Sequence, residues 1–138
     1  MATADSNVCL LRIEGIEGEY TQPPLEGGIQ LLSFTAERNA GLNSIHFQMK
    51  TGKGTMPIIN AVNAEARLPS ATLIVSKGGQ TVVRIEFRDF LLSDDHVYAT
   101  SGGHPVESYT LTAAGMNVVQ QVGPLAYGTV LPGKTYRY

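Results

Sequence analysis

The sequence predicts a mainly β fold, a compact barrel of about eight short antiparallel strands with one short flanking α-helix. Three observations carry that expectation. Apolar and polar residues alternate with period two along much of the chain, turn-forming residues interrupt the alternation at short intervals, and a single stretch has helical spacing instead.

The elements follow in chain order. Leu11 and Ile13 alternate with Arg12 and Glu14, the pattern of a strand with one buried and one wet face. Gly15 to Gly28, with Pro23 and Pro24 in the middle, is too long for a tight turn and is expected as an exposed loop. Ile29 to Thr35 is apolar on both faces and reads as a strand covered from two sides, followed by a short exposed connection from Glu37 to Asn43. Ile45, Phe47 and Met49 then alternate with His46, Gln48 and Lys50.

From Thr55 to about Ala64 the apolar residues Ile58, Ile59 and Val62 fall at helical spacing. Thr55 is suited to the N-cap, Pro57 is tolerable in the first turn, and Leu68-Pro69 marks the exit. Ala71 to Ser76 is a second strand apolar on both faces. The Gly-Gly pair in Lys77-Gly78-Gly79-Gln80 provides the positive φ angles of a hairpin turn. Val83, Ile85 and Phe87 alternate with Arg84, Glu86 and Arg88, a polar face expected to be solvated or paired with a neighbour. Ser93 to His104 reads as a polar loop. Tyr109, Leu111 and Ala113 alternate with Ser108, Thr110 and Thr112, and Ala114-Gly115 is expected as a turn before Val118.

At 138 residues and 14.8 kDa the chain is expected to be one domain, 1–138, with 1–7 and 123–138 peripheral or flexible. A core of that size needs no covalent or metal staple. Charged residues are only 16%, so Ser, Thr, Gln, Asn and Gly must cover most of the surface, as suits neutral faces that meet other subunits. The net charge of −2, without a basic block, disfavours nucleic-acid binding through charge. The single cysteine, Cys9, excludes an internal disulfide and fits folding in a reducing compartment. No conventional signal peptide and no membrane-length apolar run is visible, so cytoplasmic synthesis without membrane insertion is expected.

Candidate chemistry is sparse. Gly128 to Thr135 fits the P-loop pattern letter for letter, but a P-loop needs a following helix whose N-terminus faces the phosphates, and only Tyr136, Arg137 and Tyr138 come after it. It is read as a coincidental Gly/Pro-rich tail. Asp94, Asp95, His96, Ser101 and His104 offer hydrolase or metal-ligand residue types at spacings that match no known signature, and the chain has no Gly-x-Ser-x-Gly elbow. His46 is expected as a surface histidine and Cys9 as a small buried hydrophobe. No catalytic residue, cofactor or metal is assigned.

The order of these signals resembles a known family. Leu10-Leu11-Arg12-Ile13-Glu14-Gly15-Ile16-Glu17-Gly18-Glu19 is similar to the strand and Gly-Ile-x-Gly-Glu opening of the haemolysin-coregulated proteins (Hcp) of type VI secretion. Gly28-Ile29-Gln30-Leu31-Leu32-Ser33-Phe34 resembles the family's second strand, and Ile45–Lys50 and 54–63 its next strand and helix. Lys77-Gly78-Gly79-Gln80 with Val83–Leu92, then Glu107–Leu111 with Met116–Val122, resemble its later hairpins. The colinear match spans roughly residues 8 to 122.

The resemblance implies a barrel, related to contractile phage tail-tube proteins, that closes into hexameric rings. The rings stack into an inner tube that is expelled without a signal peptide, with effector cargo in its lumen. It implies the spike-tip and sheath proteins of the apparatus as partners, and no enzymatic activity. On that basis the expected oligomer interface includes Glu19, Leu25 and Glu26 in the first loop and Glu37 and Arg38 in the second. Thr110, Thr112, Gln120 and Gln121 are expected to face the lumen. Two rival readings are a monomeric β-barrel that binds a small ligand or an effector, and a hydrolase built on Asp94 to His104. Solution mass separates the ring from the monomer.

Overall fold

The computed structural model describes residues 8–21, 25–39, 42–78, 80–99, 105–121 and 135–137. The elements are β1 (Val8–Ile13), β2 (Ile29–Asn39), β3 (Leu42–Lys50), α1 (Thr55–Ala64), β4 (Leu68–Lys77), β5 (Gln80–Ala99), β6 (Pro105–Gln121) and β7 (Thr135–Arg137). All pairings are antiparallel. The sheet runs β1-β4-β5-β6-β3-β2, and β2 pairs again with β1, so six strands close into a barrel; β7 lies along β2. Closure of this kind leaves the six main strands little open edge.

The alternation seen in the sequence maps onto the barrel wall. Leu11, Ile13, Leu31, Phe34, Ile45, Phe47, Met49, Leu73, Val75, Ile85, Phe87, Tyr109 and Leu111 point into one core. Where simple alternation breaks, the wall bends. Leu31 pairs with Met49 and Ser33 with Gln48, so β2 carries an extra residue there and both Leu31 and Phe34 face inward.

β5 and β6 depart most from expectation. β5, at 20 residues, runs on where a strand followed by a polar loop is expected, and β6, at 17, runs through where two short strands are expected. Ala114-Gly115 is not a turn: Gly115 pairs with Arg88 and Ala113 with Phe90 inside a continuous ladder. Asp89 takes a left-handed conformation there (φ 54°), and Phe87 and Phe90 both reach the core. The two strands therefore bend together, and glycine is used to bend a strand rather than end it. Ser93 to Ala99, expected within a loop, continues β5, with His96 opposite Ser108. Likewise, of the connection expected from Glu37 to Asn43, the described residues belong to strands: Glu37, Arg38 and Asn39 pair with Ser44, Asn43 and Leu42.

Helix α1 covers the core. Ile58 is fully buried, and Ala61 and Val62 pack against the barrel interior. Its N-cap is Gly54 rather than Thr55, and a glycine has no side chain to make a capping bond; the Thr55 hydroxyl, one residue on, is engaged elsewhere. Glu65 ends the helix in a left-handed conformation (φ 49°), its N–H bonding the Val62 carbonyl. Leu68-Pro69 already belongs to β4. Among the described residues no helix is long and apolar enough to cross a membrane. The peripheral segments 1–7 and 123–138 lie outside the described residues except for β7. Thr135, the last residue of the P-loop-like string, begins that strand.

Candidate functional site

Two surfaces carry the residues singled out by the sequence. The first is the outer face of β2, β3 and β6. Because strand residues alternate, the positions between the core residues point outward together: Thr35, His46 and Thr110 lie on one rung, and Ser44 pairs with Thr112 on another. His46 Nε2 is 3.2 Å from Glu37 Oε1 and its Nδ1 is 2.7 Å from Thr110 Oγ1. A carboxylate only accepts, so Nε2 carries a hydrogen toward Glu37, while Nδ1 lies within hydrogen-bond distance of the Thr110 hydroxyl. On the same face Ser33 donates to Gln48 Oε1 at 3.3 Å.

Hydroxyl, imidazole and carboxylate in that order also occur in acyl-transfer sites, but the setting here is different. Thr110 is only 7% exposed and lies inside the ladders with His46 and Ser93, which leaves its hydroxyl little access to a substrate. The arrangement makes a polar, weakly charged wall. Thr110, Thr112 and Glu37 are thus brought together with His46. Gln120 and Gln121 are not: their backbones pair with Arg84 and Val83, beyond the bend at Gly115 and roughly 25 Å along the strand. Their side chains, and that of Arg38, lie outside the described residues, as do those of Asp94, Asp95 and His96 and the whole of Ser101 and His104.

The second surface is the loop after β1. It folds back on itself, with Gly18 N–H donating to the Gly27 carbonyl, Tyr20 N–H to Gly28 and Gly27 N–H to Tyr20. Each residue of the Gly-Ile-x-Gly-Glu string has a physical task. Gly15 turns the chain with φ +89°, Ile16 is buried and bridges back to Ile13, and Gly18 passes so close to Gly28 that any Cβ would clash with its carbonyl. Glu19 Oε2 accepts from the Gln30 N–H at 3.0 Å and so ties the loop to the start of β2. Arg12 Nη1 donates to the Glu26 carbonyl at 2.6 Å. The Glu19 and Glu26 side chains are exposed, and Leu25 is half-buried.

A third constellation escaped the sequence reading. Glu107 is fully buried, its Oε2 accepting from the Thr55 hydroxyl at 2.7 Å and its Oε1 from the Tyr109 hydroxyl; Thr55 Oγ1 in turn accepts from the Gly52 N–H at 2.8 Å. The signal was available, since Glu107 shares the parity of Tyr109, Leu111 and Ala113. This carboxylate joins β6 to the first residue of α1 and has no access to a substrate. Cys9 is also buried, which pushes its thiol well above the ordinary range and away from nucleophilic use. Among the described residues no group of three or more His, Cys, Asp and Glu is placed to hold a metal.

No protein-family profile matches the chain, and no curated protein matches its sequence. Solved structures do match. Hcp2 from Salmonella typhimurium superposes with a TM-score of 0.73 at 18% identity, over 94% of this chain and 94% of that one. Hcp1 from the same organism gives 0.72 at 17% identity, over 80% and 82%. The secreted protein Hcp3 from Pseudomonas aeruginosa gives 0.70 at 14%, over 96% and 99%. With six strands closed in a barrel, one helix packed on the core and both chains covered nearly end to end, this chain has the fold of the Hcp proteins of type VI secretion.

Proposed function

We propose that the chain is a structural subunit of the inner tube of a type VI secretion or related contractile, phage-tail-like apparatus. Copies form a hexameric ring, rings stack, and the tube is assembled in the cytoplasm and exported without a signal peptide, with effectors carried in the lumen. The spike-tip and sheath proteins of the apparatus are its further partners. The observation that carries the reading is the near full-length coincidence of fold with Hcp2 and Hcp3, with neither chain leaving a large segment unmatched.

The surfaces are consistent with that use. A lumen wall must be wet but must not trap cargo by charge. The outer face bearing Ser33, Thr35, Ser44, Gln48, Thr110 and Thr112 has that composition, with Glu37 engaged by His46. Stacking requires a firm but small contact, and the loop with Glu19, Leu25 and Glu26 is braced by its own hydrogen bonds and carries two exposed carboxylates.

Light scattering coupled to size-exclusion chromatography, followed by negative-stain imaging, tests the reading. Annular particles with six times the 14.8 kDa subunit mass are expected. A monomer at every accessible concentration would exclude the ring.

A further inference from the structure

The barrel is closed unevenly at one seam. β1 lies along β2 only at Ile29 and Gln30, through Leu11 and Leu10. Farther along the same edge, β2 is covered by β7, with Ser33, Phe34 and Thr35 opposite Arg137, Tyr136 and Thr135. The edge of β2 is therefore shared by two segments from opposite ends of the chain. β7 has three residues, and among the described residues β2 is the one strand it pairs with.

We infer that the β2 edge at Ser33–Thr35 is a strand-accepting site, and that in the assembled protein it takes the 135–137 strand of a neighbouring copy. The reasoning is one of equivalence. An exchanged strand makes the same backbone hydrogen bonds to the same residues, so exchange forfeits none of the contacts that hold it in the single subunit. What it needs is reach and proximity. The stretch 122–134 spans at most about 45 Å when extended, several times the radius of gyration of about 14 Å expected for a domain of this length. Association of copies supplies the proximity, by raising the local concentration of the neighbour's edge. The exchanged strand then links subunits by main-chain pairing that does not depend on charge, in keeping with a chain only 16% charged.

The inference rests on the ring reading in one respect, that copies of the chain associate. The test separates the two. Protein carrying Thr35→Cys is co-assembled with protein carrying Thr135→Cys and oxidised mildly; these positions are opposite each other across the β2–β7 pair, within the Cα separation that a disulfide spans. Cys9 is fully buried and stays out of the reaction. A disulfide between the two variants forms only where one copy's β7 lies on another's β2. Exchange predicts a covalent dimer on a denaturing gel, at least about tenfold more abundant in assembled protein than in the same mixture diluted to monomer. A chain carrying both cysteines should give covalent multimers when assembled and an internal bond when dilute. Internal bonds alone in protein that light scattering shows to be assembled would overturn exchange and leave the ring intact. A persistent monomer would overturn both.

Discussion

A methyl group on Gly18 would lie 2.3 Å from the carbonyl oxygen of Gly28, whereas one on Gly15 would meet nothing within 4 Å. The two glycines of one short string are thus needed for different reasons, close approach at Gly18 and a positive φ at Gly15. Gly18→Ala should lower stability by about 2 kcal/mol or more, because backbone must move, and Gly15→Ala by about 1 kcal/mol, the cost of a left-handed alanine. Urea midpoints of both variants check the order, and a Gly18→Ala midpoint at or above that of Gly15→Ala would contradict it. Arg67 and Asp89 show a weaker coupling. Arg67 Nε lies 2.7 Å from Asp89 Oδ1, and the hydrogen bond holds the carboxyl below its ordinary value of 3.8. A carboxyl lowered in the folded state stabilises above its unfolded value and loses that contribution as pH falls through the folded one. Both groups are exposed, so the effect is small. Arg67→Ala should lower the urea midpoint slightly at neutral pH and by less in strong acid, where of the two bonds only that from Arg67 Nη2 to the Asp89 carbonyl, 3.3 Å, remains; an equal difference at both pH values would show that the ion pair is not the cause.

At the scale of elements, the docking of α1 depends on a carboxylate that sits in a strand. Replacing Glu107 with Ala strands the Thr55 and Tyr109 hydroxyls without their acceptor and empties a buried volume, a cost of about 2–4 kcal/mol. Hydrogen exchange should show the amides of α1 losing protection more than those of β4; uniform loss across the protein would mean that Glu107 supports the barrel generally. The helix itself was legible, since Ile58, Ile59 and Val62 have its spacing and Ile58 is its buried anchor. Its cap was not, because the partner of Thr55 lies 52 residues away and local chemistry makes threonine a good N-cap. Strand interiors such as Val83 to Phe87 could be read from alternation. The lengths of β5 and β6 could not, because Ala114-Gly115 carries turn chemistry that cross-strand pairing overrides, and Asp94-Asp95 falls at a register shift after which the ladder resumes at His96. Of the expected site residues, the outward placement of Thr110 and Thr112 followed from parity. Their meeting with Glu37 depended on the register of three strands, which no single strand encodes.

For the whole molecule, barrel closure decides what remains for other copies to touch: loops, the polar outer wall and the seam beside β7. Leu25→Asp places a charge on the loop after β1 while sparing its main-chain hydrogen bonds: the Leu25 carbonyl still accepts from Gly28, and the bonds from Gly18 to Gly27, Tyr20 to Gly28 and Gly27 to Tyr20 do not involve residue 25. Under the tube reading it should leave the thermal transition nearly unchanged and reduce the sedimenting, stacked fraction by about tenfold, a change worth about 1.4 kcal/mol per contact. Unaltered sedimentation would remove this loop from the stacking surface. The shared bend of β5 and β6 has a consequence for how such a chain can vary over time. Before it, Ile85 and Phe87 face inward at odd positions; after it, Phe90 and Leu92 do so at even ones, and across the ladder Ala113 and Met116 change parity at the same level. Deleting one residue from β5 alone would turn everything beyond it inside out, with apolar side chains in water and polar ones in the core. Matched one-residue changes keep the cross-strand register, but they keep the facing only at the bend, where each strand carries one residue beyond simple alternation; elsewhere a change of length needs two residues in each strand, so the lengths of β5 and β6 should drift together in relatives even where hardly a residue is shared.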